Sequence, residues 1–240
     1  MIYLYQILGF ILIPYIKLNV WRRIKTGKEL NYRYKERFGI TNQSNKLSKK
    51  VIWIHAASVG ETLSALPLIE GFLSFSSNFN ILLTTGTKTS KNLVTERNLK
   101  RVIHQYFPLD INLLSKKFLN YWKPNLAIFV ESEIWPNMIF TLDSKKIPII
   151  LINARITKKT YQRWMMFKKF SLGIFSKINL ALPQNRETLK YLKLLGVKKI
   201  KNLGNLKFST IKNIKKKVLI NKKKFIGNNV WAASSTHDGE

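Results

Sequence analysis

Residues 51–73 read VIWIHAASVGETLSALPLIEGFL, and their two halves carry two different periods. VIWIHA (51–56) is apolar on both faces, as a strand covered by helices on two sides should be. Leu63, Leu66, Ile69 and Leu73 then recur at helical spacing and form one apolar stripe for packing on a sheet. Five more short apolar runs follow, NILLTT (80–85), VIHQYF (102–107), LAIFV (126–130), IPIILI (147–152) and INLAL (178–182). Helical patterns fill about 60–76, 87–99, 111–121, 134–144, 158–176 and 185–195. Strand, helix, strand repeated in this way predicts an α/β fold, a Rossmann-like parallel sheet with helices on both faces.

The chain of 240 residues is long enough for one such domain, or one domain and part of another. It has no cysteine, which excludes disulfides and thiolate metal sites. Its formal charge of +30 predicts attraction to polyanions: nucleic acid, anionic lipid headgroups or phosphorylated glycolipids. No recognised motif or aromatic-basic platform accompanies the charge, so nucleic acid is the weakest of the three.

The N-terminal MIYLYQILGFILIPYI carries no charged side chain, and Lys17, Arg22, Arg23, Lys25 and Lys28 follow it. That pattern matches a membrane anchor with a positive cytoplasmic flank. Its length leaves both a short single pass and an interfacial amphipathic helix open. The boundaries expected are an anchor over 1–20, a Rossmann-like domain over 21–206, and a linker with the start of a second domain over 207–240. FSTIKNIKKKVLINKKKF is lysine-dense and breaks the strand-helix rhythm, and NVWAASSTHDGE reads as a strand and turn that stop inside a second, truncated domain.

In open parallel sheets ligands bind beyond the carboxyl ends of the strands. At the first such end stands HAASVGE, where Ala56, Ala57, Ser58 and Gly60 leave room for a ligand and a tight turn. Glu61 there fits two roles, an acidic residue in a first helical turn or a general base. His55, at the strand end, reads as structurally hydrogen-bonded. At the second end, FVESEIWPN, Glu133 or Ser132 reads as a helix cap, which leaves Glu131 as the cleft-facing group. Three of nine glutamates thus fall at two strand ends. In NLGNLKF, Lys207 is placed to hold a phosphate or a leaving group's charge, or to be one more solvated lysine.

In order along the chain, HAASVGE, TTGTKTS, FPLD, ESEIWPN, INARI, GNLKF and AASSTHDGE resemble the Kdo transferases of Gram-negative lipopolysaccharide assembly. The resemblance implies the N-terminal, acceptor-binding domain of a GT-B glycosyltransferase with a second, donor-binding domain. It implies inverting, metal-independent transfer of Kdo from CMP-Kdo to the lipid A precursor lipid IVA, without a cofactor. It places the protein on the cytoplasmic face of the inner membrane, among anionic lipids. It makes Glu61 the proton acceptor and Glu131 and Lys207 transition-state stabilisers, with Ser58 and Gly60 on the substrate. A different class of reading, a membrane-tethered basic binding module without catalysis, leaves the placement of Glu61 and Glu131 unexplained.

Overall fold

Each of the six apolar runs becomes a parallel strand. The computed structural model describes residues 1–41 and 49–206. Two helices come first, α1 (Ile2–Ile11) and α2 (Ile13–Lys25), followed by a 3-10 turn, Tyr34–Phe38. The alternating part runs β1 (Lys50–His55), α3 (Val59–Phe75), β2 (Phe79–Thr85), α4 (Lys88–Arg97), β3 (Val102–Tyr106), α5 (Asn112–Trp122) and β4 (Leu126–Val130). It continues α6 (Pro136–Ser144), β5 (Ile149–Ala154), α7 (Lys158–Met165), α8 (Lys168–Phe175), β6 (Leu180–Pro183) and α9 (Arg186–Leu194). Lys207 and the expected strand near 230–235 lie outside the described residues.

Among the described residues the sheet order is β3-β2-β1-β4-β5-β6, with every pairing parallel. The order reverses between β1 and β4, so their carboxyl ends flank a crevice. Alternate side chains feed two cores. Trp53, Phe129 and Leu151 point to the side covered by α5, α6 and α8. Ile54, Ile128 and Ile152 point to the side covered by α3 and α4. The Trp53 ring is fully buried among Phe107, Phe118 and Phe129, and its Nε1–H donates to Thr84 Oγ1 at 2.9 Å, so nothing polar is left unpaired there.

Three expectations change. The run at 147–152 begins its strand at Ile149, because Pro148 has no N–H for the ladder. The helix expected over 158–176 is two helices broken at Met166–Phe167. The break lets Ile174 and Phe175 of α8 pack on the sheet while Trp164 of α7 reaches the same core from outside. At the N-terminus the apolar run is not one helix either. α1 and α2 meet at 54°, with Pro14 at the start of α2, and no single helix among the described residues is long and apolar enough to cross a membrane. The 20/21 boundary falls inside α2.

The N-terminal segment is fastened at two places. Glu29 and Glu36 are buried, yet each is met by arginine: Arg37 Nε to Glu29 at 3.0 Å, and Arg33 Nε to Glu36 at 2.6 Å. Arg37 also donates to the carbonyls of Gly86 at 2.6 Å and Phe107 at 3.2 Å, which ties this strap to the ends of β2 and β3. The second fastening is Asp110 of FPLD. Its carboxylate accepts the Asn137 and Met138 amides at 3.1 and 2.9 Å, capping α6 from outside, and the Tyr5 hydroxyl of α1 at 3.0 Å.

Burial pushes the Asp110 carboxyl up to about 6, against the pull of those two amides and the Tyr5 hydroxyl. An unfolded aspartate titrates near ~3.9. Between these values the folded state binds more protons than the unfolded one, so the contribution is fully present below about pH 4 and is lost as pH rises through about 6. Urea unfolding from about pH 4 to 7 should show the wild type losing on the order of 2 kcal/mol relative to Asp110→Asn. A pH-independent difference would mean that Asp110 titrates normally.

Candidate active site

The loop after β1 is built around the main chain of Ala57. Its carbonyl accepts the Gly86 N–H at 2.9 Å, so the loops after β1 and β2 cross in contact. A Cβ on Gly86 would stand 2.8 Å from that carbonyl oxygen, which is why glycine occupies the position. The Ala57 N–H points the other way and donates to Glu61 Oε2 at 2.8 Å. Ser58 caps α3: its Oγ accepts the Glu61 N–H at 3.2 Å and donates to Glu61 Oε1 at 3.0 Å. This is a capping box with the carboxylate reaching back one residue further than usual. Glu61 therefore does serve the helix start. A carboxylate has about four lone-pair sites, and these two bonds leave others for a substrate.

Gly60 follows in the first turn of α3 with open space where a side chain would be. It gives room rather than a special turn, since its φ is not positive.

At the end of β4, Glu131 takes a left-handed conformation, φ 61°. Its Oε1 accepts from Asn153 Nδ2 of β5 at 3.4 Å. The expected capping roles of Ser132 and Glu133 do not hold. Ser132 Oγ donates to the Arg155 carbonyl at 2.5 Å, and Asp110 takes the start of α6. Glu133 turns inward, where its Oε2 meets Trp135 Nε1 at 2.7 Å and His55 Nε2 at 3.1 Å. His55 is buried, stacks on Phe107 with ring centroids 3.9 Å apart, and turns Nδ1 to Thr84. It is held as a structural group, as its strand-end position suggested.

Glu61, Glu131 and Glu133 thus converge on the switch point. Burial raises the Glu61 carboxyl above the ordinary glutamate value, Glu133 raises it further, the Ala57 amide and Ser58 hydroxyl pull it back, and Glu131 adds a smaller rise. A carboxylate whose proton affinity is raised in this way is a better acceptor while it is ionised. Beside the loop lies a cleft of about 500 Å³, walled by Ile16, Asn19, Val20 and Arg23 of α2 and by His55, Ala57, Gly86, Phe107 and Trp135. The sequence reading brought out Glu61 and Glu131 but missed Glu133 as a partner of His55, Asp110 as a cap and Asn153 as a ligand of Glu131. FPLD and INARI, which contain two of these, were the available signals.

Comparison with known proteins fixes the family. The 3-Deoxy-D-manno-octulosonic-acid transferase (kdotransferase) family matches residues 32–210. The chain belongs to the Kdo transferase family. Among curated Kdo transferases, that of Rickettsia bellii is 35% identical over 202 residues, 84% of this chain and 48% of the relative. That of Haemophilus influenzae is 32% identical over 213 residues, 87% of this chain and 50% of the relative. The chain thus spans about half the length of the curated Kdo transferases it matches. UDP-GlcNAc 2-epimerase from Neisseria meningitidis superposes with a TM-score of 0.50 at 13% identity, over 73% of this chain and 52% of that one, a likeness of fold alone.

The electrostatic arrangement is open to direct test. In Glu133→Gln the Glu61 carboxyl should titrate at lower pH than in the wild type, because one like charge is gone. Carbon-13 carboxyl NMR reads this, and an unmoved Glu61 titration would refute the coupling.

Proposed function

We propose that this chain forms the acceptor-binding part of an enzyme that transfers Kdo from CMP-Kdo to the lipid A precursor lipid IVA. The observation that carries the reading is the convergence of Glu61 and Glu131 at the switch point of the sheet, beside a cleft walled by α2, in a member of this family. A basic binding module would have no use for gathering like charges there.

In this mechanism Glu61 takes the proton of an acceptor hydroxyl while that oxygen bonds to the anomeric carbon of Kdo. The bond from that carbon to the phosphate oxygen breaks, and CMP leaves with the electron pair. Attack opposite the leaving group inverts the centre. The negative charge of Glu131 favours the oxocarbenium-like sugar between bond breaking and bond making. Lys207, outside the described residues, answers the charge growing on the leaving phosphate. None of these steps requires a metal. Ser58 and Ala57 orient the base, and the open space over Gly60 admits the substrate.

The acceptor is a phosphorylated lipid, and the N-terminus suits an anionic surface at the cytoplasmic face of the inner membrane. Tyr3, Leu4, Ile7, Phe10 and Ile11 of α1 are each more than half exposed. Lys17, Arg22, Arg23 and Lys25 follow on α2. A large exposed apolar patch beside basic residues marks an interaction site, and the 54° bend suits helices lying in the interface rather than crossing it. The cleft wall formed by α2 then sits at the depth where the lipid headgroup lies.

Two experiments test this reading. With the intact protein, CMP-Kdo and lipid IVA, Glu61→Gln should transfer Kdo at least about 100-fold more slowly than the wild type. Glutamine's carbonyl oxygen can still accept the Ala57 N–H while its NH₂ donates to Ser58 Oγ, so circular dichroism and thermal unfolding should barely change. Equal rates would remove Glu61 as the base, and no transfer by the wild type would remove the function itself. Separately, Leu4→Glu with Ile7→Glu and Phe10→Glu should release the protein from phosphatidylglycerol vesicles in co-sedimentation; undiminished binding would place the membrane contact elsewhere.

A further inference from the structure

At the carboxyl end of β5 the pairing with β6 slips. Ile152 pairs with Leu182 and Ala154 with Pro183, so Asn153 is the extra residue of a bulge. The slip upsets the alternation of faces: Leu151 and Ala154, three residues apart, belong to the same core. Asn153 itself has φ 49° and is 2% exposed. On the neighbouring strand, Glu131 is also left-handed, and its N–H donates to the Ile152 carbonyl at 2.9 Å. Asparagine tolerates this conformation better than most residues, whereas glutamate has no such excuse.

Both ends of the Asn153 amide are in use. Oδ1 accepts the Leu206 N–H at 3.1 Å, and Nδ2 donates to Glu131 Oε1 at 3.4 Å. The assignment of the amide is forced. A main-chain N–H can only donate, so oxygen must face Leu206, and the NH₂ is then turned to a carboxylate that can only accept when ionised. Leu206 is the residue before Lys207 in the chain.

We propose that Asn153 is a positioning residue of the transfer site. One buried side-chain amide sets the Glu131 carboxylate and the main chain leading into Lys207 relative to each other. The bulge serves this by turning that side chain out of the strand's alternation. The role is specific to asparagine: aspartate lacks the donor, alanine lacks both groups, and glycine keeps only the backbone conformation. The catalytic half of this inference rests on the Kdo-transfer reading, while the structural half stands apart from it.

The test uses the intact protein with Asn153→Ala, Asn153→Gly and Asn153→Asp, reading hydrogen exchange at the Leu206 amide and kcat and KM with CMP-Kdo and lipid IVA. Asn153→Ala and Asn153→Gly should speed Leu206 exchange and lower kcat on the order of 100-fold, with KM little changed. Asn153→Asp should keep Leu206 protected, because it keeps the acceptor, yet still lose kcat, because Glu131 has lost its donor and gained a like charge. Wild-type kcat in Asn153→Gly, or unaltered Leu206 exchange in Asn153→Ala, would overturn the proposal. If the wild type transfers no Kdo, the functional reading fails by itself. Leu206 exchange still decides the link: fast in Asn153→Ala and slow in Asn153→Asp supports it, and no difference overturns it.

Discussion

The main chain of Ala57 is held from both sides, and the geometry of the site depends on that clamp. Its carbonyl accepts the Gly86 N–H and its own N–H donates to the Glu61 carboxylate. Gly86 is in turn fixed by Arg37, whose guanidinium also grips buried Glu29. A charge introduced by the N-terminal strap is therefore connected, through the main chains of two residues, Gly86 and Ala57, to the carboxylate at the start of α3. No flexible side chain intervenes between Arg37 and the Ala57 backbone. A hydrogen bond to a charged group is worth about 1.5–3 kcal/mol net, and this chain of contacts begins and ends on one. That suits a group whose use depends on where its lone pairs point.

The alternating part of the fold was legible because parallel strands buried on both faces appear as short unbroken apolar runs. All six strands lie within two residues of the runs that announced them, the fifth starting two residues late, after Pro148. Less legible were features set by contacts distant in sequence. The stretch from Glu29 to Arg37 is polar in sequence, yet it buries two glutamates, because the arginines that neutralise them also bind carbonyls of β3 and of the residues just after β2 and β3. The cap of α6 comes from Asp110, more than twenty residues upstream, so no local motif before Pro136 could announce it. Glu61 was legible as a strand-end carboxylate, but its two roles were not separable in the sequence. In the structure it holds the helix start with two bonds and still faces the electrostatic field of Glu133 and Glu131.

That field is unusual in a chain with a formal charge of +30. Two unit charges 4 Å apart repel by about 4 kcal/mol at an effective dielectric near 20, so three carboxylates gathered at neighbouring strand ends need compensation. Each receives its own donors: Ala57 and Ser58 for Glu61, Asn153 for Glu131, Trp135 and His55 for Glu133. These donors are main-chain, hydroxyl, amide and ring groups. Donors of this kind hold a carboxylate in place with less effect on its proton affinity than an ammonium would have. Burial is the main cause of the raised Glu61 carboxyl, and the repulsion from Glu133 and Glu131 that these bonds do not cancel adds to it.

The two sides of the switch point are built differently, and the difference is informative. On the β1 side the backbone is relaxed and heavily cross-braced: Ser58 caps α3 in an extended conformation, and the Gly86 contact and the buried Arg37–Glu29 pair lock the loop. On the β4–β5 side the backbone is strained, with Glu131 and Asn153 both left-handed at adjacent strand ends. Such residues cost on the order of 1–3 kcal/mol each and persist only where surrounding contacts over-determine them. Here the over-determination comes from the β5 bulge, the Glu131 N–H to Ile152 and the Asn153 amide itself. In the proposed mechanism Glu61, as general base, needs only a fixed position and the right proton affinity, which the relaxed side provides. In the same proposed mechanism Glu131 faces a short-lived positive charge, which needs a direction that ordinary strand geometry does not offer. The strain at Glu131 is the physical cost of that direction, and it falls on the strand end where the pleat alone would have turned the side chain into a core.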